Sequence, residues 1–316
     1  MARYARLTTV SWSPQKDAEG AAQQESNRRQ AAEMIDRAAK DGSDLVCMPE
    51  IFAQRYFPFE ECEKWAEQIP GPTTDVIGEA CKRNNCYSVA TTVEERDGRL
   101  YNAAALIDRK GEVVGVYHKM RPTRGELDFG ITPGSDAPAF ATDFGRVGFA
   151  ICFDMNFPEV GQTLLENGAQ CVCWPSMYEA GRQLEFWAEE FGFYVVSSWG
   201  GKVNSIVDMT GTTIAKTGYQ YPIASADVNF DRACFHQDRN REEWEAIREK
   251  YGRGVSLNIP HAEGKFTLGS ELEEVTIEDI AAEFNLETWR DYRRDALDKI
   301  LAATPRPELP QARRGV

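Results

Sequence analysis

The chain has 316 residues, 42% of them hydrophobic, enough for a substantial core in one large domain or two ordinary ones. Its 36 Lys and Arg stand against 50 Asp and Glu, a formal charge of -14, so a phosphate-tracking surface would have to form against the overall field. Nucleic acid and anionic membrane surfaces are therefore not the expected partners.

No run has the length and polarity of a membrane span, and the amino-terminal residues read directly into a strand without a basic segment and apolar core. The cytoplasm is the expected location. Cysteines at 47, 62, 81, 86, 152, 171, 173 and 234 are too sparse for a secreted disulfide framework, and most are expected to be reduced.

In chain order, residues 3–12 alternate like a strand, and residues 21–39 carry small and apolar positions at helical spacing. "DLVCMPE" reads as a buried strand stopped by Pro49, which leaves Glu50 just past its end. Pro70, Gly71 and Pro72 break the chain before a helix that starts near Thr73 or Thr74. "CYSVATTV", "YNAAALID" and "EVVGVYHK" follow as strands, with "DRKG" turning between the last two and Lys119 delivered to the end of the third.

The polar passage from Met120 to Gly134 reads as a surface loop. "GRVGFAIC" resumes a buried strand, and Pro158 opens a helix through Leu165, so Cys152 occupies the junction. The alternation continues through "AQCVCWP", a helix around Leu184 to Phe191, and "GFYVVSSW". A hairpin pairs residues 203–208 with 212–216, and "YPIASADVNF" reads as a further strand. This is repeated α/β construction, with consecutive strands that a simple parallel sheet would not contain.

Beyond it, "QDRNREEWEAIREKYG" suggests a helix ended by glycine, Thr276 and Asp279 form a capping-box pattern, and "TWRDYRRDALDKILA" suggests a last amphipathic helix. A single domain over residues 1–302 is expected, followed by a proline-rich tail over 303–316.

Glu50, Lys119 and Cys152 each fall at the carboxyl end of a predicted strand, where α/β folds gather functional groups. A thiol there is either one more small core residue or a nucleophile. Glu50 is either a solvated residue or a proton acceptor for that thiol, and Lys119 either closes a strand or favours a developing negative charge. His118, His236 and His261 form no compact ligand motif, and His118 should face away from Lys119 if the strand persists. No metal and no organic cofactor is expected. Arg121 and Arg124 are available to an acidic substrate.

The ordered blocks "LVCMPE", "VYHKMRP" and "GRVGFAICFDMNFPE", with the later "WPSMY" and "FYVVSS", resemble the carbon–nitrogen hydrolase family, also called the nitrilase superfamily, over about residues 5–230. The resemblance implies an α–β–β–α sandwich with mixed β-sheets and assembly into homodimers or larger homo-oligomers. It implies that Glu50 is a general base, Lys119 an oxyanion-stabilising residue and Cys152 the nucleophile. Glu126 matches an additional family glutamate, with Asp128 as a nearby competitor.

The implied activity is amidase-type hydrolysis of a small amide through a cysteine thioester; N-carbamoyl amide hydrolysis and then nitrile hydrolysis are the enzyme alternatives. A catalytically silent interaction scaffold is the alternative of another class. Tyr56, Phe57, Phe153, Trp174 and Tyr178 are candidate substrate contacts, with ordinary aromatic packing as the competing reading. The stretch "EFWAEEFGFYVV" departs from the family pattern, with Trp187 where arginine is common and Phe191 where asparagine is common, although Glu190 is kept.

Overall fold

The computed structural model describes residues 4–260 and 264–304; His261 and most of the proline-rich tail lie outside them. In the first half of the chain, β1 (Tyr4–Val10), β2 (Leu45–Cys47), β3 (Tyr87–Arg96), β4 (Arg99–Ile107) and β5 (Val113–His118) form one sheet, in that order. β1, β2 and β3 are parallel neighbours, and β3, β4 and β5 are antiparallel. The crossovers carry α1 (Gly20–Ala38), a short α2 (Cys62–Trp65) and α3 (Pro72–Asn84).

After α4 (Arg124–Asp128), the second half builds a second sheet from β6 (Ala139–Ala141), β7 (Arg146–Phe149), β8 (Cys171–Pro175), β9 (Tyr194–Ser198), β10 (Ser205–Val207) and β11 (Thr213–Lys216). Here too the central pairs β7–β8 and β8–β9 are parallel and the flanking pairs antiparallel. The crossover helices are α5 (Pro158–Glu166) and α6 (Arg182–Phe191). Each half thus repeats strand–helix–strand–helix followed by a three-strand meander. β12 (Ile223–Asn229) returns to pair antiparallel with β1.

Side-chain alternation assembles the layers. Leu45 and Cys47 of β2 join Leu7, Val147, Phe149 and Cys173 in the core between the sheets. Val46, between them in sequence, faces Ile35 of α1 and Ile77 of α3. The result is the expected α/β architecture of mixed sheets flanked by helices.

Three differences from the sequence reading follow. The passage after Lys119 is not wholly a loop: Thr123 caps α4, its hydroxyl accepting from the Glu126 N–H at 3.3 Å while Glu126 Oε2 accepts from the Thr123 N–H at 2.7 Å. A one-turn helix is too short to leave a periodic signal. The three-residue β6 also left no sequence signal. The carboxyl-terminal region adds a third antiparallel sheet of β13 (Arg232–His236), β14 (Val255–Asn258) and β15 (Lys265–Ser270).

Around that sheet pack α7 (Trp244–Tyr251), α8 (Ile277–Glu283) and α9 (Trp289–Ala303), with Phe235, Ile247, Phe266, Leu268 and Ile280 in a core of their own. Short strands of four to six residues separated by long connections gave no regular pattern. The capping box at Thr276 is present, the Asp279 carboxylate accepting from the Thr276 N–H at 2.9 Å. Among the described residues no helix is long and apolar enough to cross a membrane.

Candidate active site

β2, β5 and β7 end at the same edge of the sandwich, and their exits hold Glu50, Lys119 and Cys152. Pro49 and the left-handed backbone of Ile51 (φ 46°) turn the chain sharply at Glu50, which is buried. Lys119 follows β5 and is only 1% exposed. Its Nζ donates to Glu50 Oε1 at 3.0 Å and to both oxygens of Glu126 at 3.0 and 2.8 Å. The glutamate against Lys119 is therefore Glu126, while Asp128 is exposed.

A residue that the sequence reading passed over completes this cluster. Asn102, fully buried on β4, donates through Nδ2 to Glu50 Oε1 at 2.8 Å and to Glu126 Oε1 at 2.7 Å. Its only signal was a polar side chain at the head of an otherwise apolar strand run, "NAAALI". Glu50 Oε1 therefore has two donors, whereas Glu50 Oε2 is buried with no hydrogen-bond partner. A buried, unsatisfied carboxylate oxygen is costly and is a ready proton acceptor.

Cys152 has φ 48°, a conformation a non-glycine residue adopts at a cost of about 1–2 kcal/mol. Asp154 holds the turn in place. Its Oδ2 accepts from the Ile151 N–H at 2.7 Å and the Tyr117 hydroxyl at 2.7 Å, and its Oδ1 accepts from the Arg121 N–H at 2.7 Å. Tyr117 and Arg121 flank Lys119, so one carboxylate fixes the cysteine turn to the strand end that carries the ammonium. Two buried indoles support the turn from below: Trp174 Nε1 donates to the Cys152 carbonyl and Trp187 Nε1 to the Met155 carbonyl, both at 3.0 Å.

Charge and burial compete throughout. Burial, with the Glu50 carboxylate second, pushes the Cys152 thiol up to about 12 despite the opposing influence of Lys119. The resting sulfur is therefore a thiol at neutral pH. Burial opposes the Lys119 ammonium, but Glu50 and Glu126 outweigh it and hold the group above its ordinary value. Burial likewise opposes the Glu126 anion, and Lys119 with Asn102 keeps that carboxyl below its usual range. Burial raises Asp154 to about 6 despite its three donors.

A cavity of about 130 Å³ opens over Glu50, walled by Trp12, Phe52, Trp199, Arg55, Ser176 and Met177. The candidate aromatic contacts distribute unevenly around it. Tyr178 is half-buried near the site, its hydroxyl donating to Gln183 at 3.2 Å, and burial followed by the Cys152 charge raises it to about 12. Phe153 is partly exposed on the cysteine turn and packs edge-on against Phe157. Trp174 is fully sealed and supports the turn instead of forming a cavity wall. Tyr56 and Phe57 line a neighbouring cavity with Trp65, and the Tyr56 hydroxyl is engaged by the Pro14 carbonyl at 2.7 Å.

His118 points away from the cluster, stacked on Tyr101 with Nε2 beside Glu94 at 2.5 Å. Among the described residues no group of three or more His, Cys, Asp or Glu side chains could hold a metal ion. The departure noted in "EFWAEEFGFYVV" has a structural use: Glu190 pairs with Arg293 of α9 at 2.6 Å, and the Arg293 guanidinium lies over the Phe191 ring.

The arrangement brings together a thiol, an unsatisfied carboxylate oxygen and a buried ammonium, with Glu50 at the wall of a small cavity. Human omega-amidase NIT2 is 27% identical to the chain over 238 residues, 65% of this chain and 84% of its own length. Omega-amidase NIT2-B of Xenopus laevis is 26% identical over 235 residues, 64% of this chain and 83% of its own length. Among solved structures, an amidase from Nesterenkonia sp. superposes with a TM-score of 0.63 at 19% identity, covering 72% of this chain and 90% of that one. Saccharomyces cerevisiae Nit3 gives 0.62 at 18% identity, covering 79% and 94%. In one variant of the Nesterenkonia amidase, the acetamide moiety of fluoroacetamide is covalently added at the active site cysteine. A model of the carbon–nitrogen hydrolase family matches residues 9–232, and the chain belongs to that family.

Proposed function

We propose that the protein hydrolyses a small amide to a carboxylic acid and ammonia or amine through a thioester on Cys152. The observation that carries this reading is the buried Glu50 Oε2, left without a donor while its sister oxygen is held by Lys119 and Asn102. A thiol pushed up to about 12 cannot ionise by itself near neutrality, so its proton must leave as sulfur attacks. Glu50 is the base that receives it.

Sulfur bonds to the amide carbon, and the carbonyl oxygen becomes an oxyanion beside the Lys119 ammonium and an N–H near Phe153. Protonated Glu50 returns the proton to the nitrogen as the C–N bond breaks, releasing the amine and leaving the thioester. Water then gives a proton to Glu50 and attacks the thioester carbon; the acid departs and the thiol is restored. Glu126 and Asn102 hold Lys119 and Glu50 in register. The names of the related omega-amidases and of the Nesterenkonia amidase support amide hydrolysis over nitrile hydrolysis.

Intact-protein mass spectrometry during turnover tests the assignment. The parent should accumulate a substrate-sized acyl adduct that Cys152→Ala lacks, and Glu50→Gln should lower kcat by about 10²–10⁴. Full activity in Cys152→Ala, or an adduct mapped elsewhere, overturns the reading. Carbon dioxide among the products would transfer it to N-carbamoyl hydrolysis, turnover of nitriles alone to nitrilase chemistry, and a folded protein inert towards all three classes to a silent scaffold. Sedimentation reads the homo-oligomer that the family resemblance implies.

A further inference from the structure

We infer that Arg293, on the last helix and beyond the residues 9–232 that the family model matches, is a positioning residue for Cys152, acting through Phe191 and Trp187 on the turn that carries the sulfur. This rests on the reading of Cys152 as the nucleophile and adds to it a role for the carboxyl-terminal region.

The chain of contacts starts at the sulfur. Cys152 opens a short turn over Cys152–Asn156, and its left-handed backbone has to be held there by surrounding groups. Within that turn the Met155 carbonyl accepts from Trp187 Nε1 at 3.0 Å. Trp187 is buried near the carboxyl end of α6 and meets the Phe191 ring edge-on at 5.5 Å. Phe191 has little freedom of its own. It packs so closely on α5 that a Cβ added at Gly161 would lie 2.1 Å from its ring, and the Arg293 guanidinium covers it at 5.5 Å.

The end of α6 is held from the same side. The last carbonyls of a helix have no partner within it. Here the Glu189 carbonyl accepts from Lys265 Nζ at 2.5 Å, and the Glu190 carbonyl accepts from Trp289 Nε1 at 2.8 Å and Arg293 Nη1 at 3.3 Å. The same two cations pair with the side chains, Lys265 with Glu189 and Arg293 with Glu190, both at 2.6 Å. All three donors come from β15 and α9. Positive charge is favourable at the carboxyl end of a helix, and of the two cations Arg293 is the one that also touches the ring leading to Trp187. Gly192, with φ 68°, closes the helix against β13 so tightly that a Cβ there would stand 2.8 Å from the Cβ of Cys234.

A cap that served stability alone would leave the rate of the folded enzyme unchanged. Sulfur attack is far more demanding, since a displacement of about 1 Å caused by a remote change can cost about 100-fold. If the last turn of α6 shifts, Trp187 shifts with it and the Met155 carbonyl loses its donor.

The test compares the parent with Arg293→Leu, Arg293→Lys, Trp187→Phe and the double variant Arg293→Leu/Trp187→Phe, at a temperature where circular dichroism shows each fully folded. Two properties are read: kcat and KM for a small amide such as butyramide, and the rate at which iodoacetamide alkylates Cys152, located by peptide mass. Arg293→Leu should lower kcat and slow alkylation by about 10- to 100-fold with KM near the parent's, and Arg293→Lys should recover most of the loss. Trp187→Phe should fall in the same direction, and the double variant should be no slower than the slower single variant, because both act on one turn. Arg293→Leu that unfolds more readily yet keeps the parental kcat and alkylation rate overturns the inference and leaves amide hydrolysis standing, as do single-variant losses that multiply in the double. Should Arg293→Leu not fold, Trp289→Phe, which removes one donor from the Glu190 carbonyl, is judged by the same rates. A folded parent that hydrolyses no amide while Arg293→Leu still slows alkylation sinks the amidase reading and keeps the positioning role; alkylation that is unchanged or faster sinks both.

Discussion

Lys119 and Lys250 each meet glutamate, one beneath the cavity and the other on the surface. Lys119 is 1% exposed between Glu50 and Glu126, and Asn102 adds hydrogen bonds to both carboxylates. The Lys250 side chain on α7 is 51% exposed and reaches Glu283 of α8, itself 39% exposed. The residue types match, but one pair is exposed to solvent screening and the other is buried from it. The buried lysine is confined to a single arrangement because any partner removed leaves an uncompensated charge in the interior. Such confinement suits a group that must stay in place while charge develops beside it.

Variants can break or sharpen that contrast. The largest effect is expected from Lys119→Met, which leaves two buried carboxylates without their cation. It should cost about 3–5 kcal/mol in denaturant unfolding and abolish turnover. Near-parental stability would show that the buried cluster is not the constrained element described here.

Next comes Asp154, a carboxyl raised from 3.8 to about 6 by burial. A raised folded-state value means a contribution fully present below about pH 4 and lost as pH rises through about 6, where the native state must carry a buried anion. The shift corresponds to about 3 kcal/mol. Unfolding of the parent and of Asp154→Asn, followed from about pH 4 to about pH 7, should show the variant gaining on the parent by that order as pH rises. A pH-independent difference between the two would dismiss this account of Asp154.

Asn102→Leu should be milder, at about 1–3 kcal/mol, since the carboxylates keep Lys119 but lose a shared donor. The Glu126 carboxyl should move up, because donation from Asn102 is one of the interactions holding it down. Carboxyl chemical shifts followed against pH read that movement. The smallest effect belongs to Lys250→Ala, for which no measurable change in unfolding midpoint is expected. A clear loss there would erase the distinction between the two pairs.

Much of the architecture was legible from local pattern. Strands β1 to β5 and β7 to β12 follow alternation or short apolar runs, and the exits at Glu50, Lys119 and Cys152 were readable because proline or a change of polarity ends each run. The third sheet was not legible, since β13 to β15 are short and become strands only by pairing with one another and packing on Phe235 and Phe266. Asn102 escaped because one polar residue in a strand has no meaning until its partners are known. Trp174 read as a candidate substrate contact and Trp187 as a departure from the family pattern, yet their indole N–H groups hold the cysteine turn.

By itself the sequence determined the order of β1 to β5 and β7 to β12 with the longer helices between them, the three strand-end residues and the family to which their blocks belong, because each is written in neighbouring residues. Only the tertiary structure decided that Glu126 and not Asp128 meets Lys119, that Asn102 joins two carboxylates, and that Arg55 lines the cavity of Glu50. Those relations depend on burial and on distances between segments far apart in the chain. A charge acquires its cost and its partner only when folding removes the water around it.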